Sequence, residues 1–329
     1  MTEKDTGGAE DGLADCLASV LEEPFGTGTR VERLSRMTAG ASRVTWAFDA
    51  VAADGERHGL VLRADTPGSL DPGALPREAA LMRAAAAQGV PSPHVFASGV
   101  GPGSLSSGYV VMSRVEGESL PPRILRDPAF ADVRPRLARR CGEILAAVHR
   151  VPPDAVAGLP DEDELDRWRG VLSGTGRPQP ALEYAARWLD ENRPPPSRRT
   201  LVHGDFRHGN LIIGPEGVRA LLDWELAHVG DPLEDLAWLC VKAWRFGAPL
   251  PVGGFGSVED LIAGYESAGA GPVDREALAW WQVFGTFRWG VICLHQARRH
   301  LTGATRSVEL AAIGRRVCEP EWDLLEMLP

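Results

Sequence analysis

The chain has 329 residues, enough for two lobes, and its 44% hydrophobic and 24% charged residues are ordinary for a soluble globular protein. Lys and Arg number 35 against 45 Asp and Glu, and the resulting net charge of −10 disfavours nucleic acid as the main partner. The five cysteines form no C-x-x-C pair, the N-terminus is polar and acidic, and no apolar run reaches about 18 residues. These features predict a cytoplasmic protein with reduced thiols and no membrane span.

The first 115 residues predict a disordered tail and then a small β-rich lobe with one main helix. Residues 1–12 are small, polar and charged, which is typical of a disordered tail. Over residues 13–115 the strand pattern runs from RVERLSRM through SRVTWAFDAVAADGERHGLVLRAD, with a hairpin turn at ADGE (53–56), and returns in HVFASGV and GYVVMSRV. Between them, REAALMRAAAAQG predicts a helix that ends at Gly89.

Residues 116–329 predict a larger and mainly helical lobe. Segments such as RPRLARRCGEILAAVHRV and QPALEYAARWLDEN are long and amphipathic, and nine of the ten tryptophans lie after residue 160. The larger aromatic core is therefore expected here. The sequence predicts the α+β class, with a β-rich N-lobe followed by a helical C-lobe.

Two acidic turns of the larger lobe carry the functional signal. The segment LVHGDFRHGNLIIG (201–214) contains Asp205 and Asn210, and ALLDWE (220–225) ends an apolar run with Asp223. A carboxylate in a turn can orient or deprotonate a hydroxyl, whereas an amide oxygen and a second carboxylate suit Mg²⁺, which prefers oxygen ligands. With Arg207 as a nearby fixed positive charge, these are the components of a phosphoryl-transfer site.

The two turns, in LVHGDFRHGNLII and LLDWELAHVGDPLEDLAWL, resemble those of the aminoglycoside phosphotransferase-like family of small-molecule kinases. The resemblance extends over nearly the whole chain: LVLRADTPG with REAALM is similar to the small-lobe strand and helix, YVVMSRVEGESL to the hinge, and SVELAAIGRRVCEPEWDLL to the C-terminal end. Within the family, the chain resembles bacterial proteins similar to the kinase-like domain of acyl-CoA dehydrogenase family members ten and eleven. The resemblance implies a protein-kinase-like two-lobe fold.

The resemblance also implies a role for each matching position. Asp205 would be the catalytic base or would orient the hydroxyl, His203 would brace the turn, and Asn210 and Asp223 would hold Mg²⁺. The segment MTAGASRV would be the glycine-containing loop over the phosphates of ATP, with GTP as a possible alternative donor. The implied nucleotide-binding residues are Gly40 and Ser42 in that loop, Arg63 on the phosphates with Glu78 as its helix partner, and the backbone from Ser113 to Val115 at the adenine edge.

Arg63 departs from the general kinase pattern, in which a lysine occupies this position. A guanidinium is a planar fork and not a point charge, so its contact with phosphates would differ from that of lysine. Glu78 could alternatively be a charge on an exposed helix face. Glu225 could assist the metal or contact substrate, or it could bond only to nearby backbone. Asp235 is expected to accept backbone N–H bonds from the catalytic turn.

Two alternatives for the first turn come from the same residues. Asp205 and Asn210 could merely cap a turn. His203, Asp205 and His208 could instead face a metal in a hydrolase, because H-x-D-x-x-H has a ligand-like spacing. Neither alternative gives a role to the Asp223 segment, and His208 is expected to be a solvated or core histidine.

The acceptor is indicated by local charge. From Gly285 to Arg316 there are six arginines and one acid, Glu309, which would repel a polyamine antibiotic and attract a carboxylate, phosphate or acyl-CoA. The alternative is a solvated helix face. Trp281 and Arg288 lie seven residues apart and could form one apolar and cationic wall against the substrate, whereas the residues around them are expected to be core.

The preferred interpretation is Mg²⁺-dependent transfer of the γ-phosphate of ATP to a hydroxyl of a hydroxy acid or hydroxyacyl thioester. The alternatives are phosphorylation of an aminoglycoside or another antibiotic, and a nucleotide-binding pseudokinase scaffold without turnover. Arg63 favours the scaffold, whereas the presence of Asp205, Asn210 and Asp223 favours the enzyme. The expected partner is a small hydroxylated molecule, and the protein would be a monomer or homodimer.

Overall fold

A computed structural model describes residues 4–37, 43–66, 71–195 and 197–329. The chain divides into two compact units. Unit 1 comprises Met1–Gly117, Ala155–Ala157 and Arg219–Glu225, and unit 2 comprises Glu118–Asp154, Gly158–Val218 and Leu226–Pro329. The first boundary therefore falls two residues beyond the predicted one, and the Asp223 segment belongs to unit 1.

Unit 1 is built on a five-stranded antiparallel sheet. Its elements are α1 (Lys4–Phe25), β1 (Arg30–Met37), β2 (Arg43–Val51), β3 (Arg57–Asp65), α2 (Ala74–Ala87), β4 (Val95–Gly99) and β5 (Tyr109–Ser113). The strand order is β1-β2-β3-β5-β4, with β3 in the centre. Leu60 and Leu62 of β3 are buried, and Arg63, between Leu62 and Ala64, lies on the other face because successive side chains of a strand alternate. The predicted strands and the main helix are thus confirmed.

The N-terminal prediction is wrong, because α1 begins at Lys4 where a disordered tail was expected through residue 12. Leu13, Leu17 and Leu21 recur every four residues and are buried in the core of unit 1, where they pack with Leu60 and Leu62. This stripe forms one face of a helix and anchors it to the sheet. The polar composition of the first residues concealed a helix whose apolar face begins later.

Unit 2 contains most of the helices. They are α3 (Pro121–Arg126), α4 (Leu137–Val148), α5 (Glu164–Ser173), α6 (Pro180–Glu191), α7 (Leu233–Cys240), α8 (Val258–Tyr265), α9 (Arg275–Leu301), α10 (Val308–Arg315) and α11 (Cys318–Met327). The long helix α9 packs against α5, α6, α7, α10 and α11. Nine consecutive residues in its middle, 283–291, are buried, so it is a central helix without a solvent face at that height.

Short strands position the first acidic turn. They are β6 (Thr200–Val202), β7 (Leu211–Gly214), β8 (Gly217–Leu221) and β9 (His228–Gly230), and the boundary between the units falls within β8. In unit 2, β6 pairs with β9 in antiparallel register, with Val202 opposite His228. The turn at residues 203–210 therefore starts beside a buried histidine. No helix in the described part of the chain is long and apolar enough to cross a membrane.

Candidate active site

The turn that carries Asp205 begins where β6 ends and closes with a short 3₁₀ helix at His208–Asn210. Gly204 has a φ of +79°, and a Cβ atom at this position would lie 2.4 Å from the carbonyl oxygen of Leu226. A side chain would therefore be strained by the backbone conformation and would also clash. The glycine lets the chain reverse directly before the catalytic candidate.

Asp235, near the start of α7, binds the backbone of this turn. Its carboxylate accepts the amide N–H of His203 at 2.8 Å and that of Gly204 at 2.9 Å, and it lies 3.2 Å from Nε2 of His149. Burial of Asp235 disfavours its charged form, but the hydrogen bonds from His149 and His203 outweigh burial and hold the pKa of Asp235 below its ordinary value. The predicted structural role of Asp235 is confirmed.

Three side chains donate hydrogen bonds to the carboxylate of Asp205. Trp238 Nε1 lies 2.9 Å and Arg207 Nε 3.0 Å from Oδ1, while Asn210 Nδ2 lies 2.7 Å from Oδ2. The Asp205 side chain is 14% exposed, so the carboxylate remains accessible from one side. Three converging donors fix its orientation before a substrate arrives, which is the pre-organisation that a hydroxyl-orienting carboxylate requires.

Asn210 uses its amide nitrogen for Asp205. The same Nδ2 atom also donates to the main-chain carbonyl of Asp205, at 2.8 Å. A cation would therefore meet Asn210 through its amide oxygen, which is the hard donor that Mg²⁺ prefers.

Arg207 is paired with Asp205 in this structure. Its guanidinium also lies over the ring of Trp244, with Cζ 4.9 Å from the ring centroid. Contact with a transferred phosphoryl group would therefore compete with an ion pair that already exists.

The two histidines of the turn have different surroundings. Nδ1 of His203 lies 3.2 Å from the amide nitrogen of Asp205 and accepts its N–H, as expected for a residue that braces the turn. His208 is buried between the rings of Phe246 and Phe255, and burial, with a smaller contribution from Arg207, lowers the pKa of His208 to about 4. His208 is therefore a neutral core histidine and not a solvated one.

The hydrolase alternative required His203, Asp205 and His208 to share a metal. In the described part of the chain, the three side chains whose ligand atoms lie close enough together to hold one metal ion, within 4.8 Å of one another, are instead Glu164, His228 and Glu234. The described geometry therefore does not support a metal held by the histidines of this turn.

Unit 1 contains a cluster of charged residues. Arg63 on β3 binds Glu78 of α2 through Nη1 at 3.1 Å and Asp223 through Nη2 at 3.1 Å. Glu78 is buried, so the predicted pairing of Arg63 with Glu78 is confirmed and the exposed helix-face alternative is wrong.

A second arginine, Arg43, joins the same cluster. It binds Glu78, lies 3.2 Å from Asp65 and is 3.6 Å from Glu225. Glu225 therefore faces a guanidinium, and burial and then the nearby Asp223 raise the pKa of Glu225 above its ordinary value. Sequence reasoning did not single out Arg43, although it lies within the predicted loop MTAGASRV.

Asp223 has an unusual backbone. Its φ is +66°, in the left-handed region that non-glycine residues seldom adopt and that aspartate tolerates better than most. Such conformations concentrate at functional sites, where the surrounding structure holds them in place. This observation supports a functional role for the carboxylate.

Four predicted nucleotide-binding residues remain to be placed. Gly40 and Ser42 lie outside the described residues. Ser113 ends β5, and its amide donates to the carbonyl of His94 at 2.8 Å, so Ser113 could offer an adenine edge its carbonyl but not its amide. Val115 is the second residue after the end of β5.

The structure corrects the prediction that Arg288 binds substrate. Arg288 is only 1% exposed, and it donates to Glu234 and to the carbonyl of Gly204. The error has a physical cause: α9 is buried on all sides at this height, so a seven-residue spacing does not select a solvent face. Trp281 is partly buried, packs on Trp280, and lines a cavity of about 390 Å³, so its contact with an acceptor stays a prediction.

The C-terminal arginines have different surroundings. Arg298 binds the carbonyl of Gly174, and Arg299 binds Gln296 and Thr305. Arg316 does line a large cleft of unit 2, but it is paired with Glu319. Burial therefore removes Arg288 from the predicted basic surface, and a role of the other five arginines in attracting an acidic acceptor stays a prediction.

That cleft has a volume of about 680 Å³ and is connected to Asp205 through tryptophans. Trp238, which binds Asp205, contacts Trp244 at a ring-centroid distance of 5.2 Å, and Trp244 contacts Trp289 at 4.8 Å. Trp289 lines the cleft, together with the exposed Trp322. A chain of three tryptophan rings, Trp238, Trp244 and Trp289, thus runs from Asp205 to the cleft.

The family model described as "Phosphotransferase enzyme family" matches residues 34–281, which is about three quarters of the chain. The chain belongs to the phosphotransferase enzyme family. The matched range includes both acidic turns and the Arg63–Glu78 pair. The resemblance predicted from the two turns is therefore confirmed.

The chain is also similar in sequence to one relative and in fold to two solved structures. The chain is 29% identical to acyl-CoA dehydrogenase family member 10 of Mus musculus over 80% of its own length, but it spans about a quarter (27%) of that relative. A Ralstonia eutropha protein assigned as an aminoglycoside phosphotransferase has a TM-score of 0.70 at 23% identity, covering 95% of this chain and 98% of its own. Aminoglycoside phosphotransferase APH(4)-Ia, in complex with AMP-PNP and hygromycin B, has a TM-score of 0.61 at 18% identity, covering 95% and 99%. These structures confirm the α+β, kinase-like fold.

Proposed function

We propose that this phosphotransferase moves the γ-phosphate of ATP, with Mg²⁺, to the hydroxyl of a small molecule that carries an acidic or acyl thioester group. The observation that carries the proposal is the carboxylate of Asp205, which three donors orient in a turn that Asp235 holds. Phosphoryl transfer needs little covalent help from the protein, so positioning of the hydroxyl and of charge accounts for most of the acceleration.

In this proposal Asp205 accepts the hydrogen bond, and then the proton, of the acceptor hydroxyl. Arg207, whose guanidinium is already adjacent, would neutralise charge on the transferred group by exchanging its bond to Asp205 for one to phosphate oxygens. Asp205 and Arg207 would be the catalytic residues.

Asn210 and Asp223 would hold the Mg²⁺ ion. Their donors fit a hard cation: an amide oxygen whose nitrogen is bonded elsewhere, and a carboxylate held at a rare backbone conformation. Held by these two residues, the ion would supply positive charge that compensates the negative charge of the phosphates.

Arg63, with Arg43 beside it, would bind the phosphates. Glu78 binds both guanidinium groups, and Asp223 and Asp65 each bind one of them, so their remaining N–H donors are held in place for anionic oxygens. The backbone at Ser113 and Val115 would meet the base. AMP-PNP in the APH(4)-Ia complex supports an adenine nucleotide, and GTP is a second candidate donor.

The cleft of unit 2 supports an acidic acceptor. Lys242 in this cleft is neutralised by Asp323 at 2.5 Å, and Arg316 by Glu319. Arg245 also lines the cleft; it binds the carbonyl of Cys240 at 3.1 Å, but its Nε atom is buried without a partner among the described residues. The guanidinium of Arg245 has no carboxylate partner among the described residues, and its charge favours an anion in the cleft, such as the carboxylate of a hydroxy acid.

The apolar lining supports an acyl chain. Val241, Phe246 and Pro320 lie in the same cleft as Trp289 and Trp322, and they would exclude water from a hydrocarbon segment. The similarity to a protein named acyl-CoA dehydrogenase family member 10 favours an acyl thioester among acidic acceptors.

An antibiotic acceptor is the second candidate. Hygromycin B in the APH(4)-Ia complex supports it, and Asp323 and Glu319 at the cleft could receive a cationic amine. The deciding experiment measures ATP consumption with hydroxy acids of several chain lengths, their CoA thioesters, hygromycin B and kanamycin. Faster turnover of the thioesters supports the proposed acceptor. Turnover of the antibiotics well above that of the acids would overturn it.

The enzyme assignment is tested by Asp205→Ala. We expect turnover to fall by about 10² or more, with nucleotide binding nearly intact, because the carboxylate acts on the acceptor hydroxyl and not on the donor. Turnover is followed by ADP release and nucleotide binding by calorimetry. Normal turnover in this variant would exclude Asp205, whereas ATP binding without turnover by the unmodified protein on every acceptor would favour a pseudokinase scaffold.

A further inference from the structure

A buried arginine contacts the catalytic turn from the interior of unit 2. Arg288, on α9, donates through Nη1 to Glu234 at 2.8 Å and through Nη2 to the carbonyl of Gly204 at 2.7 Å. Its Cζ atom also lies 4.5 Å from the centroid of the Trp238 ring, over its face, and 5.2 Å from that of Trp168. A single guanidinium therefore makes two charge-assisted hydrogen bonds and two ring contacts without exposure to solvent.

Two of these contacts lead to Asp205. The carbonyl that Arg288 binds belongs to Gly204, the residue directly before Asp205, so the bond fixes the peptide that leads into Asp205. The ring on which Arg288 lies belongs to Trp238, whose indole N–H donates to Oδ1 of Asp205 at 2.9 Å. Arg288 thus supports Asp205 through the main chain and through a side chain at the same time.

The charge of Arg288 belongs to a buried network of four groups. Glu234 lies between Arg288 and His228, with its second oxygen 3.0 Å from Nε2 of the histidine. Burial disfavours the charged imidazole, but the carboxylates of Glu234 and Glu164 outweigh burial and raise the pKa of His228 to about 9. Glu164 is also paired with the partly exposed Arg167 at 2.9 Å, so each carboxylate of the network faces positive charge.

A network of this kind is not the most stabilising way to fill a core. Well-packed apolar residues of similar volume often stabilise a fold at least as well as a buried ion pair. What the charged groups add is geometry, because hydrogen bonds have fixed lengths and directions. The part of the molecule whose geometry they fix is the turn before Asp205.

We propose that Arg288 is a positioning residue for catalysis: through Gly204 and Trp238 it holds the Asp205 carboxylate where the acceptor hydroxyl must be met. The activity test rests on the proposed function, since it measures phosphoryl transfer. The role requires a guanidinium, because only a planar fork can bond to Glu234 and Gly204 while its face lies on an indole ring. Lysine would keep the charge but not this geometry.

The experiment compares two conservative variants. Arg288→Lys keeps the positive charge but loses the planar guanidinium, and Trp238→Phe keeps an aromatic ring but removes the N–H that donates to Asp205. We expect each to lower kcat by roughly tenfold, the loss of one hydrogen bond to a charged group, with KM for ATP changed by less than about twofold. The fall in kcat of the double variant should be smaller than the product of the two single effects, because both substitutions act on Asp205.

Trp280→Phe is the matched control. Its indole N–H also makes a buried hydrogen bond, to the carbonyl of Leu189 at 3.0 Å, but this bond lies elsewhere in the core of unit 2. The control should lose stability in urea to an extent similar to Trp238→Phe and keep its kcat. A fall in kcat in proportion to lost stability in all three variants would overturn the proposal, since that result describes a general structural role.

Hydrogen exchange gives a readout without an acceptor. The amides of His203 and Gly204 are bonded to Asp235, and we expect them to exchange roughly tenfold faster in Arg288→Lys and no faster in Trp280→Phe. If the unmodified protein transfers phosphate to no acceptor, the proposed function fails while this measurement still decides the positioning role. Unchanged exchange and unchanged kcat in Arg288→Lys would overturn the positioning role and leave the proposed function intact. Should Arg288→Lys not fold, the kcat of Trp238→Phe decides.

Discussion

Replacing Asp235 by asparagine tests how the turn that carries Asp205 is held. The change keeps the shape of the side chain but turns one of its two acceptor oxygens into an NH₂ group. The retained oxygen can serve the position that accepts from His203 and His149, so the NH₂ group would face the amide N–H of Gly204, 2.9 Å away. One buried donor is then unsatisfied, which costs about 1–3 kcal/mol, and charge-assisted bonds are lost, which costs about 1.5–3 kcal/mol. The expected loss of unfolding free energy is about 3–5 kcal/mol.

The assay for Asp235→Asn is equilibrium unfolding in urea followed by tryptophan fluorescence, which reports mainly on unit 2 because eight of the ten tryptophans lie there. With a slope of about 3 kcal/mol per molar urea, the midpoint should fall by about 1 M. The matched control is Asp231→Asn, because Asp231 also accepts a backbone N–H, from Leu233 at 2.8 Å, but at the start of α7, where asparagine caps equally well. A midpoint for Asp235→Asn equal to that of the control would refute the reasoning.

Three further predictions concern the same elements. Gly204→Ala should abolish turnover and destabilise the fold, because the added Cβ atom would lie 2.4 Å from a backbone atom. The control Gly158→Ala has a φ of +77° but open space around it, so its unfolding free energy in urea should fall by only about 1 kcal/mol. Asp223→Ala should abolish the Mg²⁺ dependence of ATP binding measured by calorimetry; Mg²⁺-dependent binding at unchanged affinity would contradict the metal assignment. His228 has a pKa raised from about 6.5 to about 9, so its stabilising contribution, at most about 3 kcal/mol, should be full below pH 6.5 and be lost as the pH rises through 9. His228→Gln should flatten this part of a Tm-versus-pH curve, and an unchanged curve would contradict the charged imidazole.

Much of the fold could be predicted because its signals are local. Alternation of β-branched and polar residues gave β1 to β5, and Gly89, with a φ of +85°, follows α2 as the expected terminating glycine. The helix over the N-terminal tail was missed because its evidence is Leu13, Leu17 and Leu21, beyond the polar residues on which the prediction rested. The helical spacing of these leucines was present in the sequence, but the prediction gave more weight to the polar residues before them.

The site residues that belong to a recognisable sequence motif could be predicted. Asp205, Asn210 and Arg207 do lie together, and Arg63 does pair with Glu78. Arg43 was missed because two arginines on adjacent strands meet one glutamate only through sheet register, which pairs Thr45 with Arg63 and brings Arg43 within reach of α2. A single sequence does not encode that register directly.

Arg288 was misplaced for a different reason. A prediction from helical spacing assumes that one face of the helix is exposed to solvent. Residues 283–291 of α9 are all buried, so the position of a residue around the helix decides only which core residues it contacts. A buried charge is costly unless it is paired, so an arginine in the core requires a carboxylate partner. Glu234, directly before Asp235 in the segment LEDLAW, is that partner.

The helix α7 connects these observations. Within five residues it supplies Asp235 to the backbone of the turn, Trp238 to the carboxylate of Asp205, and Glu234 to the arginine that binds Gly204. Asp235 and Trp238 are three residues apart and therefore share a helix face, which presents both side chains to one turn. Since all eight residues of α7 are buried, the helix can shift little without disturbing the core, and this rigidity is passed to the turn. A chain that kept the H-G-D turn but lost these three residues of α7 would have the catalytic groups without their geometry, so the turn alone is insufficient evidence of activity.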